Sequence, residues 1–260
     1  MSDLKGKTVL ITGGSKGIGR ALAFTLAKEG MNLVLAARTK STLKATADEI
    51  RKTTGVTVLP VVTDVSKRKD LENLVLEARK TFGRIDVLIN GAGISSQHPF
   101  DKQPFTDIER LISTNFYGYV MCTRLVIPHM IKNGGGAIIN ILSGSVLVAP
   151  PPRNFLVYTS LKVGLHTFGK GLFWEMRDHN IKVTSIMPGV TRTPLTSALD
   201  AKTLAPSRLM TTEAIEKAVL FALTCPLNVC PLEIAVINQK TPWTKPVIPF
   251  KQKHPKRVGK

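Results

Sequence analysis

The chain has 260 residues, 43% of them hydrophobic, enough to bury a substantial core and suited to one α/β domain. It holds no run of eighteen apolar residues, which excludes a spanning helix, and Cys122, Cys225 and Cys230 are spaced for neither a disulfide framework nor a zinc site. The formal net charge is +18, and only seven of the 36 Lys and Arg lie in 240–260, so a basic excess that favours polyanions runs through the whole chain.

Residues Met1–Lys7 lead directly into a strand pattern without the layout of a signal peptide, and a cytoplasmic, reducing location is expected. Thr8–Ile11 is a compact apolar run of the kind a buried strand needs. Thr12-Gly13-Gly14-Ser15-Lys16-Gly17-Ile18-Gly19 follows it and opens a helix closed by Gly30. Strand, glycine turn and helix in that order give the glycines physical meaning. They permit a tight turn and close approach of backbone to phosphate, while the helix N-terminus offers N–H groups to a pyrophosphate.

The next strand, Asn32–Ala37, delivers Arg38-Thr39 about 20 residues past the glycines, where a dinucleotide fold meets the adenosine ribose. An acidic residue there would bind a 2′-hydroxyl; Arg38, with Lys16 as a second cation, suits a 2′-phosphate and points to NADP(H). A helix over Ser41–Thr53 precedes a strand over Val56–Val62 and then Asp64-Val65. Asp64 reads either as acceptor for the adenine amino group or as N-cap of a helix starting near Lys67, or both.

A helix over Lys69–Phe82 and a strand over Ile85–Ile89 lead to Asn90-Gly91-Ala92-Gly93, small residues that let a cofactor lie against bare backbone. A long helical pattern covers Asp107–Lys132 with Asn115 in its middle, either a local distortion or a tolerated polar residue. A strand over Ala137–Leu142 presents Ser143-Gly144-Ser145, and a proline-containing loop links these serines to the next helix.

That helix begins near Tyr158-Thr159-Ser160-Leu161-Lys162, with Leu161, Leu165, Phe168 and Leu172 at helical spacing. Tyr158 and Lys162 fall one turn apart on one face, so an ammonium there would lower the pKa of the phenol and ready it for proton transfer. A strand over Ile181–Met187 ends in Pro188-Gly189 and Thr193; residues 195–210, with Leu195, Leu199, Leu204, Leu209 and Met210, read as a partly apolar flap. A helix over Thr212–Thr224 and a strand over Glu233–Asn238 complete an alternation of about seven strands and six helices. The expected fold is α/β, a doubly wound parallel sheet in a single Rossmann-type domain over 1–238, with a basic tail over 239–260. No metal site is expected.

Taken in register, these motifs resemble the short-chain dehydrogenase/reductase family over roughly residues 5–238. The resemblance implies a catalytic set of Asn115, Ser143, Tyr158 and Lys162. In it Tyr158 is the general acid/base, Lys162 binds the nicotinamide ribose and tunes the phenol, Ser143 holds the substrate oxygen, and Asn115 carries a water relay. It implies cofactor contacts from Gly13, Ser15, Lys16, Gly17, Ile18, Gly19, Arg38, Thr39, Asp64, Val65, Asn90, Ala92, Gly93, Tyr158, Lys162, Pro188, Gly189 and Thr193. Gly91 departs from the Asn usual in the family. Counting back from Tyr158 gives Ser145 as the catalytic serine, while counting along the strand from Asn140 gives Ser143, the preferred choice because strand register shifts less readily than loop length.

The implied activity is NADP(H)-dependent interconversion of a carbonyl and an alcohol on a small molecule, in a homodimer or homotetramer assembled through the two long helices. A competing reading is a catalytically silent basic scaffold that meets nucleic acid or an anionic membrane through its tail; the Tyr158/Lys162 pair argues against it.

Overall fold

In the computed structural model, residues 3–149, 151–197 and 204–244 are described. Seven strands form one fully parallel sheet: β1 (Thr8–Thr12), β2 (Asn32–Ala37), β3 (Val58–Val62), β4 (Val87–Asn90), β5 (Gly136–Ile141), β6 (Ile181–Pro188) and β7 (Glu233–Val236). Their order is β3-β2-β1-β4-β5-β6-β7. The chain therefore winds outward from β1 in one direction and from β4 in the other. The two halves part beyond the carboxyl ends of β1 and β4, which is where such sheets leave a crevice.

The strands are apolar on both faces because both faces are covered. Val9, Ile11, Leu33, Leu35, Val87 and Ile89 enter one core with Leu22 and Ala23 of α1 (Gly17–Lys28), Leu43 and Ala47 of α2 (Lys40–Thr54), and Ile215. The alternate residues Leu10, Val34, Ala36 and Leu88 enter a second core with Leu71 and Leu74 of α3 (Arg68–Phe82) and with Cys122, Val126 and Leu172. Strict alternation along each strand fixes the register, since a slip of one residue would exchange the two sets.

The pattern expected over Asp107–Lys132 is interrupted. It consists of α4 (Phe105–Leu111), a π-helical turn over Ile112–Tyr117, and α5 (Gly118–Lys132). The polar Asn115 sits in that turn and is fully buried, so of the two readings of this residue the local distortion is the observed one. The serine-bearing loop carries a 3₁₀ turn over Gly144–Leu147 and leads to α6 (Leu156–Met176). A short α7 (Pro194–Ser197) and then α8 (Glu213–Thr224) precede β7. The strands expected to begin at Val56 and Ile85 begin two residues later, and the last strand ends at Val236, two residues before the expected Asn238. Among the described residues no helix is long and apolar enough to cross a membrane.

Candidate active site

The carboxyl end of β1 passes straight into the glycine turn. Gly13 and Gly17 have φ of +73° and +54°, a region that side chains disfavour. A Cβ on Gly13 would lie 2.9 Å from the backbone of Ala92, and one on Gly19 would collide with the carbonyl of Gly13. The turn after β1 thus presses against the turn after β4, and Thr12 ties them: its Oγ1 accepts from the N–H groups of Gly91 (3.1 Å) and Ala92 (3.2 Å). Ser15 is buried in the turn, Lys16 is exposed, and Ile18 and Gly19 form the first turn of α1. No side chain caps that helix, which leaves its first N–H groups available to an anion.

Arg38 and Thr39 stand exposed just past β2. Asp64 and Val65 stand past β3. Burial raises the Asp64 pKa, but hydrogen bonds from the Ser66 hydroxyl and backbone, together with the charges of Arg38 and Lys67, outweigh it and hold the carboxyl below its usual range. Asp64 is not the cap of α3, whose N-cap position is Lys67. Its Oδ1 instead accepts from the Ser66 hydroxyl (2.7 Å) and N–H (3.1 Å), closing a turn of its own. Val65 packs onto Gly118, where a Cβ would lie 2.9 Å from its Cγ2. Asn90, at the end of β4, is fully buried and gives its amide protons to Thr123 Oγ1 and Asn140 Oδ1, both at 2.9 Å.

Past β4 the chain meets the residues expected to be catalytic. Asn115 Nδ2 donates to the carbonyls of Ile94 (3.0 Å) and Leu111 (3.2 Å), while its Oδ1 accepts from the Ile94 N–H (3.1 Å). The π turn thereby fastens the loop after β4. Gly93 lies in between, where a Cβ would be 3.0 Å from Asn115 Oδ1 and 4.0 Å from Lys162 Nζ.

Tyr158 and Lys162 occupy successive turns at the start of α6, as the spacing requires. Burial pushes the Tyr158 phenol up, and a hydrogen bond with the Ser143 hydroxyl opposes it. Lys162 is 3% exposed; burial drives its pKa down to about 7. Its Nζ donates to the Ile141 carbonyl (3.0 Å) and lies 3.3 Å from the hydroxyl of Tyr119, a residue of α5 that also donates to Ile141 (2.8 Å). Nζ is 5.9 Å from the centre of the Tyr158 ring. The expected lowering of the phenol by Lys162 is therefore corrected: the lysine stem is long enough to carry its head to the end of β5 instead, and Ser143 supplies the downward influence on Tyr158. The second serine stands apart, for Ser145 Oγ is buried with no hydrogen-bond partner among the described residues while its N–H donates to Ser143 Oγ (3.1 Å).

The last wall comes from the end of β6. Pro188 closes that strand, the Gly189 N–H donates to the Val236 carbonyl (2.7 Å), and Gly17 approaches Thr193 so closely that a Cβ would be 3.4 Å from its Cβ. Leu204 is buried; Leu199 lies outside the described residues. Tyr119 and the Ile141 carbonyl organise the site without having been singled out from the sequence, and Thr12, quoted with the glycine motif, had been given no role of its own. Tyr119 was within the sequence's reach, being one helical turn past Asn115 on the same face. Among the described residues no group of three or more His, Cys, Asp or Glu could hold a metal.

A parallel sheet that reverses order between β1 and β4, with an uncapped helix and bare glycine backbone at that reversal, defines a nucleotide-binding α/β protein of the Rossmann type. The family model for short chain dehydrogenases matches residues 7–204, and the chain belongs to that family of oxidoreductases. An uncharacterized oxidoreductase of Staphylococcus aureus (strain MRSA252) is 34% identical over 239 residues, covering 91% of this chain and 99% of the relative. The 3-ketoacyl-(acyl-carrier-protein) reductase of Brucella melitensis, solved with NADH, is similar in structure, with TM-score 0.83 and 28% identity over 90% of this chain and 98% of that one. The L-sorbose reductase of Gluconobacter frateurii, solved with NADPH and L-sorbose, gives TM-score 0.82 and 28% identity over 91% of this chain and 97% of that one.

Proposed function

We propose that the protein is an NADP(H)-dependent reductase of ketones or aldehydes, with Tyr158 as the proton donor and the reverse alcohol oxidation as the microscopic return. The observation that carries this reading is the convergence of Tyr158, Ser143 and Lys162 at the crevice lined by the glycine turn. The residues fit a dinucleotide. Gly13 and Gly19 let the turn after β1 pack backbone against backbone, closer than any side chain would allow, and the uncapped first turn of α1 suits the pyrophosphate. Arg38 and Lys16 favour a 2′-phosphate, although the Brucella neighbour carries NADH, so the preference rests on these two cations. Ser15, Ile18, Thr39, Asp64, Val65, Asn90, Ala92, Pro188, Gly189 and Thr193 are the further proposed contacts.

The bound nicotinamide supplies the hydride. The chain's part is to hold the carbonyl in line and manage one proton. Ser143 donates a hydrogen bond to the substrate oxygen and Tyr158 donates the proton to it as negative charge develops there. A phenol held high by burial stays protonated at neutral pH, which suits an acid in the reductive direction. Lys162, anchored on Ile141, is the proposed partner of the nicotinamide ribose. Asn115 keeps the Ile94 loop, and hence the floor of the site, in place.

Assembly into a homodimer or homotetramer belongs to the same proposal. Exposed Phe105 on α4, Ile112 in the π turn and Trp174 on α6 support it. The test is a titration of NADPH and NADH with wild type and Arg38→Asp, followed by turnover on a panel of carbonyl compounds. NADPH should bind at least ten times more tightly than NADH, and Arg38→Asp should remove most of that ratio. Equal losses for the two cofactors would contradict the assignment of Arg38.

A further inference from the structure

Residues 238–243, just after β7, fold back onto the body. Asn238 turns back into the loop after β6: its Oδ1 accepts from the Val190 N–H (2.8 Å), and its Nδ2 donates to the carbonyls of Val190 (3.0 Å) and Arg208 (2.9 Å). Farther on, the Ala205 N–H donates to the Pro242 carbonyl (2.7 Å), Arg208 Nη1 donates to the Thr241 carbonyl (3.3 Å), and Leu204 forms an antiparallel bridge with Trp243. Residues 238–243 are thus stitched along the described part of the flap.

The indole of Trp243 lies against Phe155, ring centres 6.5 Å apart and planes inclined by 57°. Phe155, 8% exposed, in turn meets Tyr158 edge-on, with centres 6.3 Å apart. Three aromatic rings therefore run without a break from the C-terminal segment to the proposed proton donor. Such edge contacts are directional and hold ring orientation better than aliphatic packing does. The residue before Phe155 is also pinned: Asn154, at φ +68°, accepts at its carbonyl from the N–H of His98 (3.1 Å). Two independent elements, the loop after β4 and the segment after β7, thus fix the approach to α6.

We propose that Trp243 is a positioning and specificity-determining residue of the catalytic site, holding Phe155 and through it Tyr158. With Leu204 it favours carbonyl substrates whose neighbouring group is flat and apolar over polyhydroxylated ones. Among the described residues of the flap, Arg208 Nη1 donates to the Thr241 carbonyl and Arg192 Nη2 to the Pro206 carbonyl (3.2 Å). Leu204 and Phe155 are buried beside Trp243. A flat substituent recovers the contact energy of an aromatic wall, whereas a polyol must shed water there without gaining hydrogen bonds. The selectivity rests on the reductase reading; the proposed placement of Trp243 beside a bound carbonyl compound is tested without it.

The experiment uses the full chain, with Trp243→Ala, Trp243→Phe and a Trp174→Phe background in which Trp243 is the single indole. Benzaldehyde and acetophenone serve as flat probes and glyceraldehyde as the polyhydroxylated one. Trp243→Ala should raise KM for the flat probes at least tenfold while NADPH affinity stays within twofold. The preference over glyceraldehyde should collapse, and the basic limb of the kcat–pH profile should move to lower pH as water reaches the phenol and relieves its burial; Trp243→Phe should restore most of each. In the Trp174→Phe background, acetophenone should protect the indole emission from acrylamide, with or without turnover. If no carbonyl is reduced yet protection occurs, the reductase reading fails and the placement of Trp243 stands. Unprotected emission at saturating acetophenone, or a Trp243→Ala variant that loses all substrates equally and is not rescued by Phe, overturns the proposal.

Discussion

Replacing Lys162 by Met separates what the buried ammonium does for chemistry from what it costs the fold. Lys162 is 3% exposed, and burial takes its pKa from 10.5 to about 7. Between those two values the unfolded chain binds one more proton than the folded chain. Wild-type stability therefore gains about 1.4 kcal/mol for each unit of rising pH in that window from this group. Below it both states are protonated, and the whole penalty of about 5 kcal/mol stands against folding. Met keeps the length and apolar volume of the stem and carries no charge. It forfeits the hydrogen bonds to Ile141 and Tyr119, about 1–3 kcal/mol together. The Ile141 carbonyl is not orphaned, because it still accepts from Tyr119 at 2.8 Å.

Lys162→Met should accordingly be more stable than wild type at pH 7, and its advantage should shrink steadily toward pH 10. Urea unfolding of both proteins at half-unit intervals from pH 6.5 to 10 measures the difference, in which all other titrations cancel. The same variant should be nearly inactive, since the proposed mechanism uses the ammonium that burdens the fold. A stability difference that stays flat with pH would show that Lys162 titrates at its ordinary value, and the burial argument would be refuted.

The two serines should separate cleanly. Ser143→Ala removes the hydroxyl that meets Tyr158 and should lower kcat about 100-fold, whereas Ser145→Ala deletes a buried hydroxyl with no partner among the described residues and should raise stability by about 1 kcal/mol with little change in kcat. Urea midpoints and steady-state rates check both. Gly13→Ala places a Cβ at positive φ against Ala92. It should destabilise by about 1–3 kcal/mol and weaken dinucleotide binding, as read by thermal unfolding and fluorescence titration.

Much of this was legible because the sheet is buried on both sides. Val9-Leu10-Ile11 and Leu33-Val34-Leu35 are apolar throughout, so the strands, and with them the turns carrying Gly13, Arg38, Asp64 and Asn90, could be placed from local pattern alone. Tyr158 and Lys162 were placed by helical spacing. Where Lys162 sends its head was not, because spacing fixes Cα positions and a four-carbon stem reaches several partners. The π turn at Ile112–Tyr117 was legible only as one of two readings of Asn115, for a related reason: its driving contacts, Asn115 to Ile94, span 21 residues. Trp243 was the least legible, an aromatic among prolines and cations whose partners Leu204 and Phe155 lie 39 and 88 positions away in sequence. Residues 245–260, the rest of the expected basic tail, lie outside the described residues.

The most direct measurement is single-turnover oxidation of NADPH by Tyr158→Phe with a saturating carbonyl substrate, beside NADPH binding to the same variant. Phe preserves the edge contact with Phe155 and deletes only the phenolic hydroxyl. Binding should stay within twofold of wild type while the transfer rate falls by about 100- to 10,000-fold, the usual contribution of a positioned general acid. A variant that binds NADPH normally and turns over at the wild-type rate would contradict the assignment of Tyr158 as proton donor.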